Sequence, residues 1–170
     1  AAIGTTEKNR ALRLMAAGLR ERRNFLQEEN QLDLIEAEKN SLPAAMIDRL
    51  TLGDAVIESM AVGLEEVASF PDPVGEVTRM WKRPNDLMVG KMRIPLGVVG
   101  MIYESRPNVT ADAAGLCLKA GNGVLLRGGS EAINSNLAVL EVLQAALRQP
   151  SIPGDVIQVI PTTDREAVAE

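Results

Sequence analysis

The sequence predicts an α/β fold in which N-terminal helices are followed by a β-hairpin and then by a parallel βαβαβ unit. The first 70 residues are rich in Ala, Leu, Glu and Arg, and their apolar residues recur at spacings of three and four, as in amphipathic helices. Residues 76–94 alternate between apolar and polar side chains on either side of a proline-containing turn. From residue 97 onward, short apolar runs alternate with helical segments, which is typical of a parallel sheet.

Glycine, asparagine and proline divide the helical region into four predicted helices. The predicted spans are 5–22, 24–39, 43–50 and a fourth helix that opens at 51–54. Pro43 is well placed to begin the third, because its fixed φ suits the first turn of a helix. Pro71 and Pro73 end the region, since two prolines so close together cannot lie inside a helix.

The remaining elements follow from apolar runs and turn residues. The predicted hairpin strands are 76–82 and 87–94, the later strands are 97–103, 124–126 and 156–160, and the later helices are 110–119, 131–148 and one that begins at 161–164. The run at 97–103 is almost wholly apolar, which predicts a strand covered on both faces. Because three strands do not complete a doubly wound sheet and the last helix has barely begun at Glu170, we expect the chain to be a fragment.

Composition excludes several classes of function. The chain has 18 Lys+Arg against 23 Asp+Glu, and the net charge of −5 argues against nucleic acid or an anionic membrane as a partner, because both bind basic faces. No apolar run reaches the ~20 residues of a membrane-spanning helix. Without histidine there is no Ser-His or Cys-His pair and no imidazole metal site, and we expect no metal. The single cysteine cannot form an intrachain disulfide, which is compatible with the cytoplasm.

Two loops that follow buried strands carry the residues best suited to bind a ligand, since open parallel sheets bind ligands at the carboxyl ends of their strands. They are residues 103–110 and 126–131. Each places an arginine, Arg106 or Arg127, just before a helix N-terminus, where free amides and the helix dipole also favour a phosphate or carboxylate. The two glycines after Arg127 would let a ligand approach the backbone closely. The alternative is that both loops are ordinary crossovers with solvated arginines.

Three other residues invite a functional role, and each has a simpler interpretation. Cys117 lies among small and apolar residues of a predicted helix with no base available, so we interpret it as a packed thiol rather than a nucleophile. Glu104 could act as a general acid or base, but a carboxylate at a strand end is more often paired with a nearby arginine such as Arg106. Trp81 on the hairpin could mark a subunit contact, although a single aromatic residue is weak evidence.

Several segments together resemble one enzyme family. They are residues 93–110, 115–122 and 125–132, with 7–10, 46–50 and 72–75 upstream. Through these segments, and above all the Tyr-Glu-Ser-Arg-Pro-Asn-Val-Thr run at 103–110, nearly the whole chain resembles the γ-glutamyl phosphate reductase family, a branch of the aldehyde dehydrogenase superfamily. The resemblance implies three parts. They are an N-terminal helical part of the cofactor domain at 1–72, a hairpin arm for oligomerisation at 73–95, and at 96–170 the first βαβαβ part of an aldehyde-dehydrogenase-type, Rossmann-like NADP-binding domain, incomplete at its C-terminus.

The resemblance implies a cytoplasmic activity, the NADPH-dependent reduction of L-glutamate 5-phosphate to L-glutamate 5-semialdehyde with release of phosphate, in proline biosynthesis. In the family a cysteine thiolate attacks the acyl phosphate, and hydride from NADPH reduces the resulting thioester. That cysteine lies in a separate downstream domain and Cys117 does not match its motif, so we expect the chain alone to be inactive. The implied partners are further copies of the chain in a homo-oligomer and, functionally, glutamate 5-kinase.

The resemblance also implies a set of cofactor-binding residues. The superfamily binds its dinucleotide without the G-x-G-x-x-G fingerprint, which is absent here, and uses a basic residue at a strand end with a following glutamate that holds the adenosine ribose. Arg127 and Glu131 are similar in position, and Gly128, Gly129 and Ser130 between them add one residue to the usual spacing. Arg127 together with Ser130 would suit a 2′-phosphate, and therefore NADP rather than NAD.

On the substrate side, Asn108 resembles the asparagine that helps to form the superfamily's oxyanion hole, a donor worth roughly 10²–10³ in rate. Arg106 is a candidate contact for the substrate's phosphate or carboxylate on its charge and position alone. Two other functions remain open. One is a different acyl-reducing member of the superfamily, for example one that uses a CoA thioester, and the other is a non-catalytic α/β interaction module.

Overall fold

The computed structural model describes residues 3–150, 152–162 and 164. Its helices are α1 (Thr5–Glu21), α2 (Arg23–Lys39), α3 (Ala44–Leu50), α4 (Asp54–Ser69), α5 (Asn108–Lys119) and α6 (Ile133–Leu147). Its strands are β1 (Val77–Lys82), β2 (Met88–Met92), β3 (Val98–Ile102), β4 (Gly123–Arg127) and β5 (Ile157–Val159), and short 3₁₀ turns precede α6 and β5. The predicted order of elements is confirmed, while the helix predicted to follow residues 161–164 falls on residues 165–170, which lie outside the described ranges. No helix in the described part of the chain is long and apolar enough to span a bilayer.

Helix α1 lies at the centre of the hydrophobic core, where it packs against α4, α5 and α6. Leu12, Met15 and Leu19 form its inward stripe and have no exposed surface. Helix α5 approaches α4 closely because it carries Gly115, where a Cβ atom would lie 2.6 Å from a methyl carbon of Leu64. The small residues of α5 therefore allow this helix to lie between α4 and the sheet.

The parallel sheet has the order β3-β4-β5 and carries helices on one face. On β4, Leu126 is buried toward the helices, whereas Leu125 on the opposite face is 39% exposed. On β3, Val98 and Ile102 are 75% and 65% exposed. The prediction that the first parallel strand is covered on both faces is therefore wrong for the described residues. The reason is that no described element packs on the face that carries Val98 and Ile102.

The hairpin formed by β1 and β2 is antiparallel and has few contacts with the rest of the described chain. Its turn uses Asp86 in the left-handed region, with φ +66°. Met80, Met88 and Met92 are all more than half exposed, and Trp81 is half-buried beneath the guanidinium of Arg79. An arm with this much exposed apolar surface suits the predicted subunit contact, which stays a prediction.

A buried charged cluster, made of Lys8, Asp72 and Lys119, joins the ends of three helices. The Lys8 ammonium lies 2.9 Å from a carboxylate oxygen of Asp72 and donates to the carbonyl oxygen of Lys119 at the end of α5. The Lys119 ammonium donates to the side chain of Asn9 and to the carbonyl oxygen of Ala68 at the end of α4. Both lysines are at most 3% exposed, and burial lowers the pKa of Lys119. The cluster satisfies carbonyl groups that helix C-termini leave open.

The start of α6 is held by Asp33 of the neighbouring helix α2. One carboxylate oxygen of Asp33 accepts the backbone N–H of Ser135 at 2.8 Å, and the other accepts the backbone N–H of Asn134 at 3.2 Å. Asp33 is 3% exposed, so these charge-assisted bonds are shielded from water. Asn30 adds a hydrogen bond of 2.9 Å to the Ser135 hydroxyl. These contacts fix the end of the loop that connects β4 to α6.

Candidate functional site

The two predicted loops lie side by side at the carboxyl edge of the sheet, because they leave the neighbouring parallel strands β3 and β4. The backbone N–H of Tyr103 donates to the carbonyl oxygen of Arg127 at 3.0 Å, which continues the strand pairing into the loops. Residues 103–107 lead from β3 into α5, and residues 128–132 lead from β4 into α6. The two loops are therefore neighbours at this edge of the sheet.

Arg106 and Asn108 line a cleft of about 440 Å³ between the β3–α5 loop and the helices α3 and α4. The other charged groups that line it are Asp48, Arg49 and Asp112. Within the described residues, neither Arg49 nor Arg106 takes part in an ion pair. The cleft therefore offers two guanidinium groups to an anion. Arg49 and Asp112 were not predicted: the place of Arg49 depends on how α3 lies relative to α5, whereas Asp112 lies one turn after Asn108 on α5 and could have been found from that spacing.

The expected pairing of Glu104 with Arg106 is not present among the described residues, where no ion pair joins the two. Between them lies Ser105, which has a φ of +26° and is 6% exposed. The chain turns sharply at this residue, and its neighbours Glu104 and Arg106 are both exposed. The turn leaves Arg106 available to the cleft.

Asn108 is the first residue of α5, and its amide donates to the carboxylate of Asp112 one turn later at 3.3 Å. Burial in the cleft raises the pKa of Asp112, and the hydrogen bond from Asn108 opposes that rise. The Asn108 amide has a second N–H to offer, so this bond leaves one donor for a ligand.

Arg127 ends β4, and its guanidinium lies between the loops that follow β4 and β5. One terminal nitrogen donates to the carbonyl oxygen of Gly128 at 3.2 Å, and the other donates to the carbonyl oxygen of Asp164 at 3.3 Å. The residue is half-buried. The structure does not bring Arg127 into the cleft of Arg106 and Asn108, so the two arginines serve separate places along the same edge of the sheet.

Gly128 and Gly129 are predicted to let a ligand approach the backbone closely, and in the structure they also have a packing role. A Cβ atom at Gly128 would clash with the side-chain amide nitrogen of Asn136, and one at Gly129 would clash with the carboxylate of Glu131. Neither glycine has a positive φ, so the requirement is for space rather than for backbone conformation. Sequence reasoning missed this, because Asn136 comes from α6 and because the position of the Glu131 carboxylate depends on its contact with Ser105.

Beneath Gly128, three polar side chains form a hydrogen-bonded chain. The Tyr103 hydroxyl lies 2.6 Å from the hydroxyl of Thr110, which donates to the amide oxygen of Asn136 at 3.0 Å. Thr110 and Asn136 have no exposed surface, and burial raises the pKa of Tyr103. The chain connects β3, α5 and α6 under the glycine loop and supports it.

Glu131 faces the β3–α5 loop. Its carboxylate accepts the backbone N–H of Ser105 at 2.9 Å and also the Ser105 hydroxyl. Burial opposes ionisation of Glu131, but hydrogen bonds, above all the one from the Ser105 hydroxyl, lower its pKa overall. Ser130 and Glu131 also line a second recess, of about 360 Å³, against α2 and α3.

Cys117 is half-buried in α5, and burial raises the pKa of its thiol, which disfavours the nucleophilic thiolate. This agrees with the predicted packed thiol. Among the described residues, no group of three or more Cys, Asp or Glu side chains is placed to hold a metal ion.

Comparison with known proteins gives a consistent result. No family model matches the chain. A γ-glutamyl phosphate reductase from Geobacter metallireducens is 60% identical over all 170 residues. The crystal structure of γ-glutamyl phosphate reductase from Thermotoga maritima superposes with a TM-score of 0.92 and 42% identity over 97% of the chain. The chain is homologous to the γ-glutamyl phosphate reductases.

The likeness covers only part of those reductases. The chain spans 41% of the length of the Geobacter reductase and 40% of the Thermotoga reductase. A probable aldehyde dehydrogenase from Listeria monocytogenes superposes with a TM-score of 0.71 at 15% identity, over 98% of this chain and 34% of that one. At that identity the match concerns the fold alone, and it confirms the predicted aldehyde-dehydrogenase-type architecture.

The segments that carry the resemblance to γ-glutamyl phosphate reductases meet in two places. Residues 7–10, 72–75 and 115–122 supply Lys8, Asn9, Asp72 and Lys119 to the buried charged cluster. From residues 46–50, Asp48 and Arg49 line the cleft together with Arg106 and Asn108. Segments that are far apart in the sequence therefore come together in the fold, at the buried charged cluster and at the cleft.

Proposed function

We propose that the protein carrying this chain is a γ-glutamyl phosphate reductase, which reduces L-glutamate 5-phosphate to L-glutamate 5-semialdehyde with NADPH and releases phosphate. The observation that carries the proposal is the 60% identity over all 170 residues, which includes both arginine-bearing loops. NADPH supplies the hydride when bound. The nucleophilic cysteine would lie outside this chain, since burial raises the pKa of Cys117 and disfavours its thiolate.

The cofactor would bind at the edge where β4 ends, and the residues present there fit its adenosine phosphate. The Arg127 guanidinium lies between the loops after β4 and β5, and the exposed hydroxyl of Ser130 lies at the start of the turn into α6. A guanidinium beside a hydroxyl binds phosphate through charge-assisted hydrogen bonds. Gly128 and Gly129 add no side chain that would block the approach. This combination favours NADPH over NADH.

The acyl phosphate would bind in the cleft of Arg106, where its charges meet matching groups. The substrate carries a phosphate and a carboxylate, which suit Arg49 and Arg106, and an ammonium group, which suits the two carboxylates of the cleft, Asp48 and Asp112. Asn108 lies at the same cleft with a free amide N–H, so it would donate to the oxyanion that forms when the acyl carbon is attacked.

The test of this function is the reverse reaction, assayed with the complete gene product. L-glutamate 5-semialdehyde and NADP⁺ should yield NADPH only when inorganic phosphate is added, and Arg106→Ala should raise the KM for phosphate or semialdehyde. Turnover with CoA in place of phosphate would favour the CoA-acylating alternative. Failure to bind any dinucleotide would favour a non-catalytic module.

Arg127→Ala should raise the Kd for NADPH by about ten- to a hundredfold and change the Kd for NADH much less, because a lost charge-assisted hydrogen bond costs about 1.5–3 kcal/mol. Fluorescence titration of both cofactors measures the difference, and NADH serves as the control for the loss of the Arg127 contacts to Gly128 and Asp164. Arg127→Lys, which keeps the charge, should retain most of the preference. An equal loss of both cofactors would remove Arg127 from the 2′-phosphate.

The proposal extends to the assembly of the protein and its location. The exposed apolar hairpin arm would form a contact between subunits in a homo-oligomer, with Trp81 as part of it. The activity would be cytoplasmic and associated with glutamate 5-kinase, which makes an unstable acyl phosphate available to it. Removal of the β1–β2 arm should shift the molar mass seen by light scattering to that of a smaller species.

A further inference from the structure

The carboxylate of Glu131 does not point along the open edge of the sheet but into the neighbouring loop. Its Oε1 accepts both donors of Ser105, the backbone N–H at 2.9 Å and the hydroxyl. These two hydrogen bonds use both lone pairs of this oxygen. A ribose hydroxyl would have to displace Ser105 in order to bind the same oxygen.

Ser105 needs such a partner, since its backbone has a φ of +26°, a conformation that residues other than glycine rarely adopt. It is buried, directly before Arg106 and three residues before Asn108. A change in the backbone of Ser105 would therefore move both residues that line the cleft. The contact to Glu131 fixes the direction in which the chain enters α5.

Gly129 provides the room for this contact. A Cβ atom there would collide with both carboxylate oxygens of Glu131, so any other residue at 129 would push the carboxylate away from Ser105. The glycine loop and the Ser105 contact thus depend on each other.

We propose that Glu131 is a positioning residue, which holds the β3–α5 loop so that Arg106 and Asn108 face the cleft, rather than a ligand of the cofactor's ribose. Through this contact the loop that carries Arg127 and the loop that carries Arg106 act as one unit. The proposal rests on the proposed function, since the acyl-phosphate reaction is what the positioned residues serve.

The test compares Glu131→Ala, Ser105→Ala and the double variant in the complete gene product. Glu131→Ala should lower kcat/KM for L-glutamate 5-semialdehyde and phosphate by about tenfold, the effect of losing charge-assisted hydrogen bonds, and change the Kd for NADPH less than twofold. Ser105→Ala should reduce kcat/KM in the same direction. The double variant should be no worse than Glu131→Ala, because both remove one interaction. Glu28→Gln, an exposed carboxylate on α2, is the control and should behave as the unmodified protein.

Gly129→Ala displaces the carboxylate of Glu131 without removing it, so it should lower kcat/KM by a similar factor. This variant tests the proposal if Glu131→Ala does not fold. A rise of tenfold or more in the Kd for NADPH, with kcat at saturating NADPH unchanged, would overturn the proposal and assign Glu131 to the ribose. The proposal would also be overturned if the factor by which the double variant lowers kcat/KM equalled the product of the factors for the two single variants.

If the unmodified protein binds NADPH but shows no phosphate-dependent turnover, the proposed function fails. The Glu131–Ser105 contact would then still be tested by whether Glu131→Ala and Ser105→Ala change the thermal midpoint non-additively.

Discussion

Replacing Asp72 with asparagine should lower the free energy of unfolding by about 3–5 kcal/mol, because it leaves the ammonium of Lys8 buried without its counter-charge. Lys8 is 2% exposed and lies 2.9 Å from Asp72, which itself has only 14% of its side-chain surface exposed. Asparagine keeps the shape of aspartate, so the change reports the charge rather than a cavity. Urea denaturation followed by circular dichroism measures the loss.

The matched control is the ion pair between Arg22 and Glu141, which is as short, at 2.6 Å, but exposed, with 37% and 60% of the two side-chain surfaces open to solvent. Glu141→Gln should cost about 0–1 kcal/mol, since exposed pairs are screened by water. A loss at Asp72 no larger than the loss at Glu141 would show that the buried cluster does not depend on its charge.

The pH dependence of the free energy of unfolding is a second way to measure the contribution of Asp72. Burial opposes ionisation of Asp72, but hydrogen bonds from Lys8, Thr5 and the backbone of Val74 lower its pKa below the ordinary value of 3.8. A carboxyl whose pKa is lower in the folded state stabilises that state above its unfolded pKa. The difference in the free energy of unfolding between the unmodified protein and Asp72→Asn should therefore be largest above about pH 4. It should shrink as the pH falls through the folded-state pKa of Asp72.

Local patterns were sufficient for the order and type of the elements. The helix boundaries follow from residues that break helices, such as Pro43 and Pro71, and the hairpin follows from a polar turn between alternating runs. The burial of β3 could not be predicted in the same way. An apolar run predicts a strand that is suited to a covered position, but which of its faces are covered depends on the elements that pack on it. In the described part of the chain, Val98 and Ile102 of β3 are exposed.

The sequence was sufficient to choose the loops that carry the candidate site, but not to predict how their side chains are arranged. Parallel neighbouring strands end at one edge, so Arg106 and Arg127 had to lie near each other along that edge. The separation of these arginines into two places, the entry of Arg49 into the cleft, and the contact of Glu131 with Ser105 are tertiary features. Each depends on the packing of α3 and α4 or on a side chain rotamer at a left-handed backbone, which spacing along a sequence does not record.

Asn108→Ala should lower kcat by about 10²–10³ and change KM much less, if its amide donates to the oxyanion of the acyl intermediate, since such a donor acts mainly in the transition state. Asn108 lies at the mouth of the cleft that also contains Arg106, and only one of its amide N–H groups is used, by Asp112 at 3.3 Å. Pre-steady-state and steady-state NADPH formation in the reverse reaction separate kcat from KM.

Asn108→Ser and Asn108→Asp distinguish this role from a structural one at the start of α5. Serine and aspartate both suit the first turn of a helix, so both should keep the thermal midpoint close to that of the unmodified protein. Aspartate has no proton to donate to an oxyanion and its negative charge opposes one, so kcat should fall furthest in Asn108→Asp. Serine keeps a shorter hydroxyl donor and should retain part of the rate. An unchanged kcat in Asn108→Asp, with the thermal midpoint also unchanged, would reject the oxyanion role, because the helix would be intact and the reaction would not have needed the donor.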